Sequence, residues 1–295
     1  MADTFELVEA SVLQALEGPP QSGGSPSDEG GESPSISAPD RAGTALPWDD
    51  IKEHLDEALT VIGHQLQTPL SNLQLCAEWL SGGSPADERY PKVRALLNDQ
   101  AWSISKMIDD LLDLARLATN AITVKRETVN LDALLRDRTD QLVRRTPERY
   151  ITYHGLPSCF LKGDSLRLSQ AFDNLLYDVV KYSPPETAIE LTVKQAEGEQ
   201  VLITVENRDY ALTSEEVEHV FQPFYRARHR QDGLGIGPFL AKSLIELHRG
   251  RIWVRSTTAL GTRFFIELPG AQFKPVAPGD PDHEGVAVDG VVNHD

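Results

Sequence analysis

Residues 62–70 read IGHQLQTPL, a histidine inside an apolar helical pattern with a proline five residues further on. Around it, Ile51, Leu55, Leu59, Ile62, Leu66, Leu70 and Leu73 recur at steps of three and four. That period lays one apolar stripe along a helix about six turns long. The stripe stops at SGGSPADER, residues 81–89, and a second runs through Val93, Leu97, Ile104, Ile108, Leu111 and Leu114. Two long helices joined by a short Gly/Pro/Ser loop form an antiparallel hairpin. Such a hairpin has a wide apolar face and little to cover it, so residues 48–120 are expected to dimerise into a four-helix bundle.

Beyond residue 120 the pattern is mixed. RYITYHG, AIELTVKQA, VLITVEN, RIWVRS and TRFFIELP alternate β-branched or aromatic residues with polar ones and predict strands. Helical spacing covers about 131–145, 164–182 and 238–249. After a linker at 121–129, this order predicts an α/β sandwich over residues 130–269, one sheet with helices packed on it. The expected fold class is therefore α + α/β, a dimeric helical hairpin followed by a sandwich.

The chain of 295 residues carries a net charge of −17, unevenly placed. Residues 1–47 hold eight acids and one base, and residues 271–295 hold five acids and one base. Gly, Pro, Ser and acids dominate residues 18–47, so an N-terminal segment 1–47 and a tail 270–295 are expected to be disordered. The acidic balance argues against nucleic acid as a partner. No apolar run is long enough to span a bilayer and the first residues are acidic, so the expected location is cytoplasmic. Cys76 and Cys159 stand far apart with no metal spacing, which predicts two buried thiols.

Three further stretches carry chemistry. In DGLGIGPFLAK, Gly233, Gly235 and Gly237 alternate and Pro238 stands where a helix begins. Such a loop frees backbone N–H groups for an anion, and the helix N-terminus adds partial positive charge. Upstream, FQPFYRARHR sets Arg226, Arg228, His229 and Arg230 beside aromatic residues, a local cationic patch. On the helix RLSQAFDNLLYDVVKYSPP, Asn174 and Asp178 lie four residues apart on one face. Two hard oxygen ligands suit Mg²⁺, which completes its shell with water and nucleotide phosphates. Taken singly, each stretch also fits an ordinary turn, basic loop or polar helix face.

In this order behind a helical hairpin, these stretches resemble a histidine kinase of two-component signalling over residues 48–269. IGHQLQTPL resembles the H box, FDNLLYDVVKYSPP the N box, VFQPFYRARHR the F box and DGLGIGPFLAK the G2 box. The resemblance implies that His64 takes the γ-phosphoryl group of ATP and passes it to an aspartate on a response-regulator receiver domain. It implies a Bergerat-type nucleotide site using Asn174, Asp178, Lys181, Tyr182, Asn207, Phe224, Arg226, Gly233, Gly235 and Gly237, with Mg²⁺ on Asn174 and Asp178. Pro69 would bend the helix near His64 by removing a backbone bond. Input is expected from a separate sensor or adaptor protein.

The departures from the family pattern are specific. An acid usually follows the phosphoacceptor; here it is Gln65, whose amide can orient the imidazole but cannot take its proton. Gln67 stands where a base is common, whereas Thr68, associated with dephosphorylation of the partner, is retained. The G1 box, usually Asp-x-Gly-x-Gly, reads Asn207, Asp209 and Ala211 at its key places. Two readings follow: a divergent kinase, or a pseudokinase that serves as a dimeric scaffold, phosphotransfer module or phosphatase.

Overall fold

The computed structural model describes residues 55–84, 87–119, 121–226 and 233–273. It divides into two units, residues 1–109 and 110–295. The segments expected to be disordered lie outside the described residues, apart from the first positions of the tail.

In the first unit, α1 (Leu55–Gly82) and the start of α2 (Tyr90–Ala118) make the predicted hairpin. Its interior includes Cys76, Val93 and Met107. Asn72 donates to Gln100 between the two helices at 3.5 Å. At the turn, Asp87 accepts from the Arg89 backbone N–H at 2.9 Å and pairs with its guanidinium, which also stacks over Trp79. α1 runs through Pro69 as one helix, and the proline ring is buried. Leu70, Ile108 and Leu112 stay about half exposed, at 49%, 47% and 48%.

The second unit holds the sandwich. Strand β1 (Glu127–Asn130) leads into α3 (Leu131–Arg145), capped by the Asn130 side chain on Ala133 N. Then come β2 (Ile151–His154), β3 (Cys159–Gly163), α4 (Ser165–Tyr182), β4 (Ile189–Gln195) and β5 (Gln200–Asn207). The short helix α5 (Ser214–His219), α6 (Gly237–Leu247), β6 (Arg251–Thr257), β7 (Gly261–Pro269) and β8 (Gln272–Phe273) complete it. The main sheet has the order β2-β4-β5-β7-β6, with only the β2–β4 pair parallel. Alternate residues Ile189, Leu191, Ile203 and Ile266 bury one face against Leu135, Leu168, Phe172, Ala241 and Leu244 from α3, α4 and α6. Burying each such side chain contributes about 1.5–3 kcal/mol before the entropic cost of ordering it.

The structure corrects the sequence reading in several places. A second sheet, β1-β3-β8, accompanies the main one. β1 pairs from Glu127 to Gly163, so the sandwich starts inside the stretch read as a linker. Ala271 is buried and β8 pairs with β3, so it also extends past residue 269. Strands of four, five and two residues are too short to display alternation, and α5 has too few turns to display a helical period. α6 ends before the predicted 249, where Arg249 turns to φ 62°.

The joints of this unit are hydrogen-bonded. Asp164 caps α4 by accepting from Arg167 N at 3.2 Å and also accepts from Lys125 N at 3.0 Å. Burial opposes its ionisation, but the backbone donors outweigh it and hold the carboxyl below its ordinary pKa. His248, 5% exposed, donates from Nδ1 to Leu244 O at 2.7 Å and accepts at Nε2 from Asp164 N at 3.0 Å. One neutral imidazole thereby ties the end of α6 to the start of α4. Both cysteines are free and buried as expected, and burial pushes the Cys159 thiol up to about 11.

Candidate active site

The pocket of the sandwich forms where three chain ends converge. β5 ends at Asn207, α4 ends at Tyr182, and α6 begins at Gly237. Its inner part is lined by Asp178, Tyr182, Asn207, Tyr210, Thr262 and Phe264. A contiguous outer part shares Asp178 and Tyr182 and adds Glu216, Tyr225, Arg226 and Gly235. The inner walls are mainly apolar and aromatic, and the polar groups sit at defined points, as in small-molecule sites.

Asn207 lies at the inner end, 2% exposed. Its Nδ2 donates to Ser183 Oγ and, at 3.0 Å, to Thr187 Oγ1, while its Oδ1 accepts from Asp209 N at 3.0 Å. The β5–β7 register sets Thr262 opposite Asn207, and the Thr262 hydroxyl donates to Tyr210 O at 2.7 Å. Tyr210, the residue between Asp209 and Ala211 of the altered G1 box, is thereby held against the pocket.

The glycine loop lies at the other end. Gly233 and Gly235 take φ values of 85° and 68°, a region that side-chain-bearing residues avoid. A Cβ on Gly235 would sit 2.5 Å from Tyr225 O, and one on Gly237 would collide with the Asp178 carboxylate. A Cβ on Gly233 would stand 3.0 Å from Lys181 Nζ. Phe224 takes φ 64°, a strained conformation for an aromatic residue, where its backbone borders Gly235. Pro238 opens α6, and no side chain caps that terminus, so its first N–H groups are left for an anion.

The structure thus brings Asp178, Tyr182, Asn207, Arg226, Gly235 and Gly237 together, with Phe224, Gly233 and Lys181 beside them. Asn174 is on the same helix one turn before Asp178, but it is buried at 4% exposure and does not line the pocket. Asp178 fits a cation shared with phosphates, since its carboxylate faces the pocket. Among the described residues no cluster of three or more acids, histidines or cysteines could hold a metal alone. Arg228, His229 and Arg230 lie outside the described residues.

Sequence reasoning missed Ser183, Thr187, Tyr210, Thr262 and Phe264. Ser183 follows the N-box helix directly and could have been found there. Thr262 could not, because only strand register brings it beside Asn207.

In the hairpin unit, His64 is exposed on α1, Gln65 next to it is half-buried, and Thr68, one turn on, is exposed. The His64 imidazole is thus accessible from solvent.

Comparison with known proteins follows the same division. Residues 54–120 match the family model of the His Kinase A (phospho-acceptor) domain, and residues 163–272 that of the histidine kinase-, DNA gyrase B- and HSP90-like ATPase. The chain is 28% identical over 222 residues to sensor protein kinase WalK of Staphylococcus saprophyticus, and 27% over 228 residues to that of Staphylococcus epidermidis. Each alignment covers 72% of this chain but 36% of the relative, so the chain spans little more than a third of their length. Among solved structures, full-length ShkA in complex with AMPPNP aligns with TM-score 0.53 at 24% identity, over 75% of this chain and 47% of that one. Histidine kinase AdeS of Acinetobacter baumannii aligns with TM-score 0.54 at 18% identity, over 70% and 98%. Histidine kinase ThkA in complex with response regulator TrrA aligns with TM-score 0.55 at 17% identity, over 76% and 64%. At these identities the likeness is one of fold. No helix among the described residues is long and apolar enough to cross a membrane.

Proposed function

The chain belongs to the histidine kinases of two-component signalling, with a phosphoacceptor domain and an ATP-binding domain, and we propose that it transfers the ATP γ-phosphoryl group to His64 and then to a response-regulator aspartate. The observation that carries this reading is the convergence of Asn207, Asp178 and the Gly235–Gly237 loop on one pocket. A purine fits among Tyr210, Phe264 and Asn207, and the phosphates lie towards the α6 N-terminus and Arg226. Asp178, the first candidate ligand for Mg²⁺, also faces that terminus. A carboxylate and a triphosphate there would repel one another, and a bound Mg²⁺ supplies the neutralising charge and Lewis acidity.

At the phosphoacceptor, the neutral imidazole of His64 supplies the lone pair. Gln65 can accept the other ring N–H and hold the tautomer, but it takes no proton, so general-base assistance worth about 10²–10⁴-fold is missing. Phosphoryl transfer depends mostly on positioning and charge neutralisation, so the reaction remains open to this chain at a reduced rate. The half-exposed Leu70, Ile108 and Leu112 support dimerisation through residues 48–120. Input through a separate sensor or adaptor and a cytoplasmic location complete the reading.

A second reading is favoured by Gln65 together with the retained Thr68: a pseudokinase that serves as scaffold, phosphotransfer module or phosphatase for a response regulator. One experiment separates the two. The protein and His64→Ala are incubated with Mg²⁺ and γ-labelled ATP and assayed for acid-labile, base-stable label. Label on the unaltered protein alone supports the kinase; no label on either supports the scaffold.

A further inference from the structure

We propose that Ser183 and Thr187 are positioning residues that lock the Asn207 amide, so that the pocket selects a purine with a 6-amino group over one with a 6-oxo group. This inference rests on the reading that the pocket takes a purine nucleotide. A carboxylate at position 207 could only accept a hydrogen bond. An asparagine has both an acceptor and two donors, and a freely turning amide would greet either purine equally well.

The amide of Asn207 does not turn freely. Its two N–H bonds are used on Ser183 Oγ and Thr187 Oγ1. Each hydroxyl has directed its own proton elsewhere: Ser183 donates to Val179 O at 2.5 Å, and Thr187 to Pro184 O at 2.8 Å. Both oxygens therefore face Asn207 as acceptors. On the other side, Oδ1 accepts from Asp209 N at 3.0 Å.

Reversing the amide would oppose Nδ2 to the Asp209 N–H, donor against donor. It would also turn Oδ1 towards two hydroxyls with no proton to give. All three hydrogen bonds would be lost at a position only 2% exposed. In the locked orientation every donor of the amide is consumed, and one lone pair of Oδ1 remains. That lone pair suits an amino group and repels a carbonyl oxygen, so Asn207 is made to behave as an acceptor only. The selectivity resides in two hydroxyls, neither of which need touch the base.

The test is calorimetric titration of the full chain, in Mg²⁺, with ATP and with inosine triphosphate, which carries an oxo group in place of the 6-amino group. The unaltered protein is expected to bind ATP about tenfold tighter or more, because a site built for one hydrogen bond rejects the analogue lacking it. In Ser183→Ala/Thr187→Val the ratio should fall several-fold towards one. Thr187→Val alone, nearly isosteric, should lower it part of the way and keeps the test open if the double variant fails to fold. Asn207→Asp, an acceptor without the lock, should retain the preference. Equal affinity for the two nucleotides, or an unchanged ratio in both hydroxyl variants, would overturn the inference and leave nucleotide use intact. Binding of neither nucleotide would overturn the purine reading itself, and this inference with it.

Discussion

Asp178 lies directly against Gly237, its carboxylate occupying the space that a Cβ on the glycine would need. The two residues come from different helices, and Asp178 lines the pocket together with Pro238, the residue that follows Gly237 at the start of α6. Gly237→Ala should therefore push Asp178 from its place and weaken Mg²⁺–nucleotide binding more than about tenfold. The backbone at 237 is helical and tolerates alanine, so stability should change by less than about 1 kcal/mol. Calorimetric titration beside a thermal melt separates these effects; unchanged affinity would remove Asp178 from the site.

Gly235 behaves differently. Its φ of 68° costs a side-chain-bearing residue about 1–2 kcal/mol, and the added Cβ would press on Tyr225 O. Gly235→Ala should lose both stability and nucleotide affinity, read by urea unfolding and titration on one preparation.

Gln65 sets the rate at the phosphoacceptor. Restoring an acid with Gln65→Glu should raise the rate of His64 labelling, by up to about 10²-fold or more if proton removal limits it. Single-turnover labelling kinetics test this. An unchanged rate would place the limiting step elsewhere, in nucleotide binding or approach of the domains.

The exposed apolar positions of the hairpin should lie in a dimer interface. Ile108 and Leu112 are one helical turn apart on α2, and charging one of them, Ile108→Glu, should convert a dimer into a monomer by sedimentation. A mass that is the same before and after would reject the bundle.

His248 makes the sandwich sensitive to acid. Burial lowers its pKa below 6.5, outweighing the backbone bond to Leu244 and the charge of Asp164, which favour the proton, and Arg126 adds to the lowering. Above 6.5 both folded and unfolded states are neutral at this residue, and its contribution is fully present. As pH falls from 6.5 towards the depressed folded value, the unfolded chain takes up the proton first and stability drops. Urea unfolding across this window should show the decline, and His248→Gln should flatten it.

Much of this architecture was legible in residue spacing. The stripes through Leu66 and Val93 placed both hairpin helices, and the long alternating strands β4 to β7 were found within a residue or two. Their periods run long enough to stand out. β1, β3, β8 and α5 were not found, because two to six residues carry no measurable period, and neither boundary of the sandwich could be drawn without their pairing. The glycine loop and Asp178 were read from local motifs, and Asn174 was grouped with Asp178 by helix periodicity; packing buries it one turn before Asp178.

The sequence by itself determined the long helices and strands, the place of His64 on its helix and the chemical types around a nucleotide loop, since each depends on neighbours within a few turns. Tertiary structure decided which groups face one another. Only the β5–β7 register sets Thr262 beside Asn207, and only the meeting of α4, β5 and the segment after Tyr182 surrounds that amide with Ser183 and Thr187. Hydrogen bonds act over about 3 Å in space whatever the distance along the chain. The orientation of one buried amide is therefore a property of the fold.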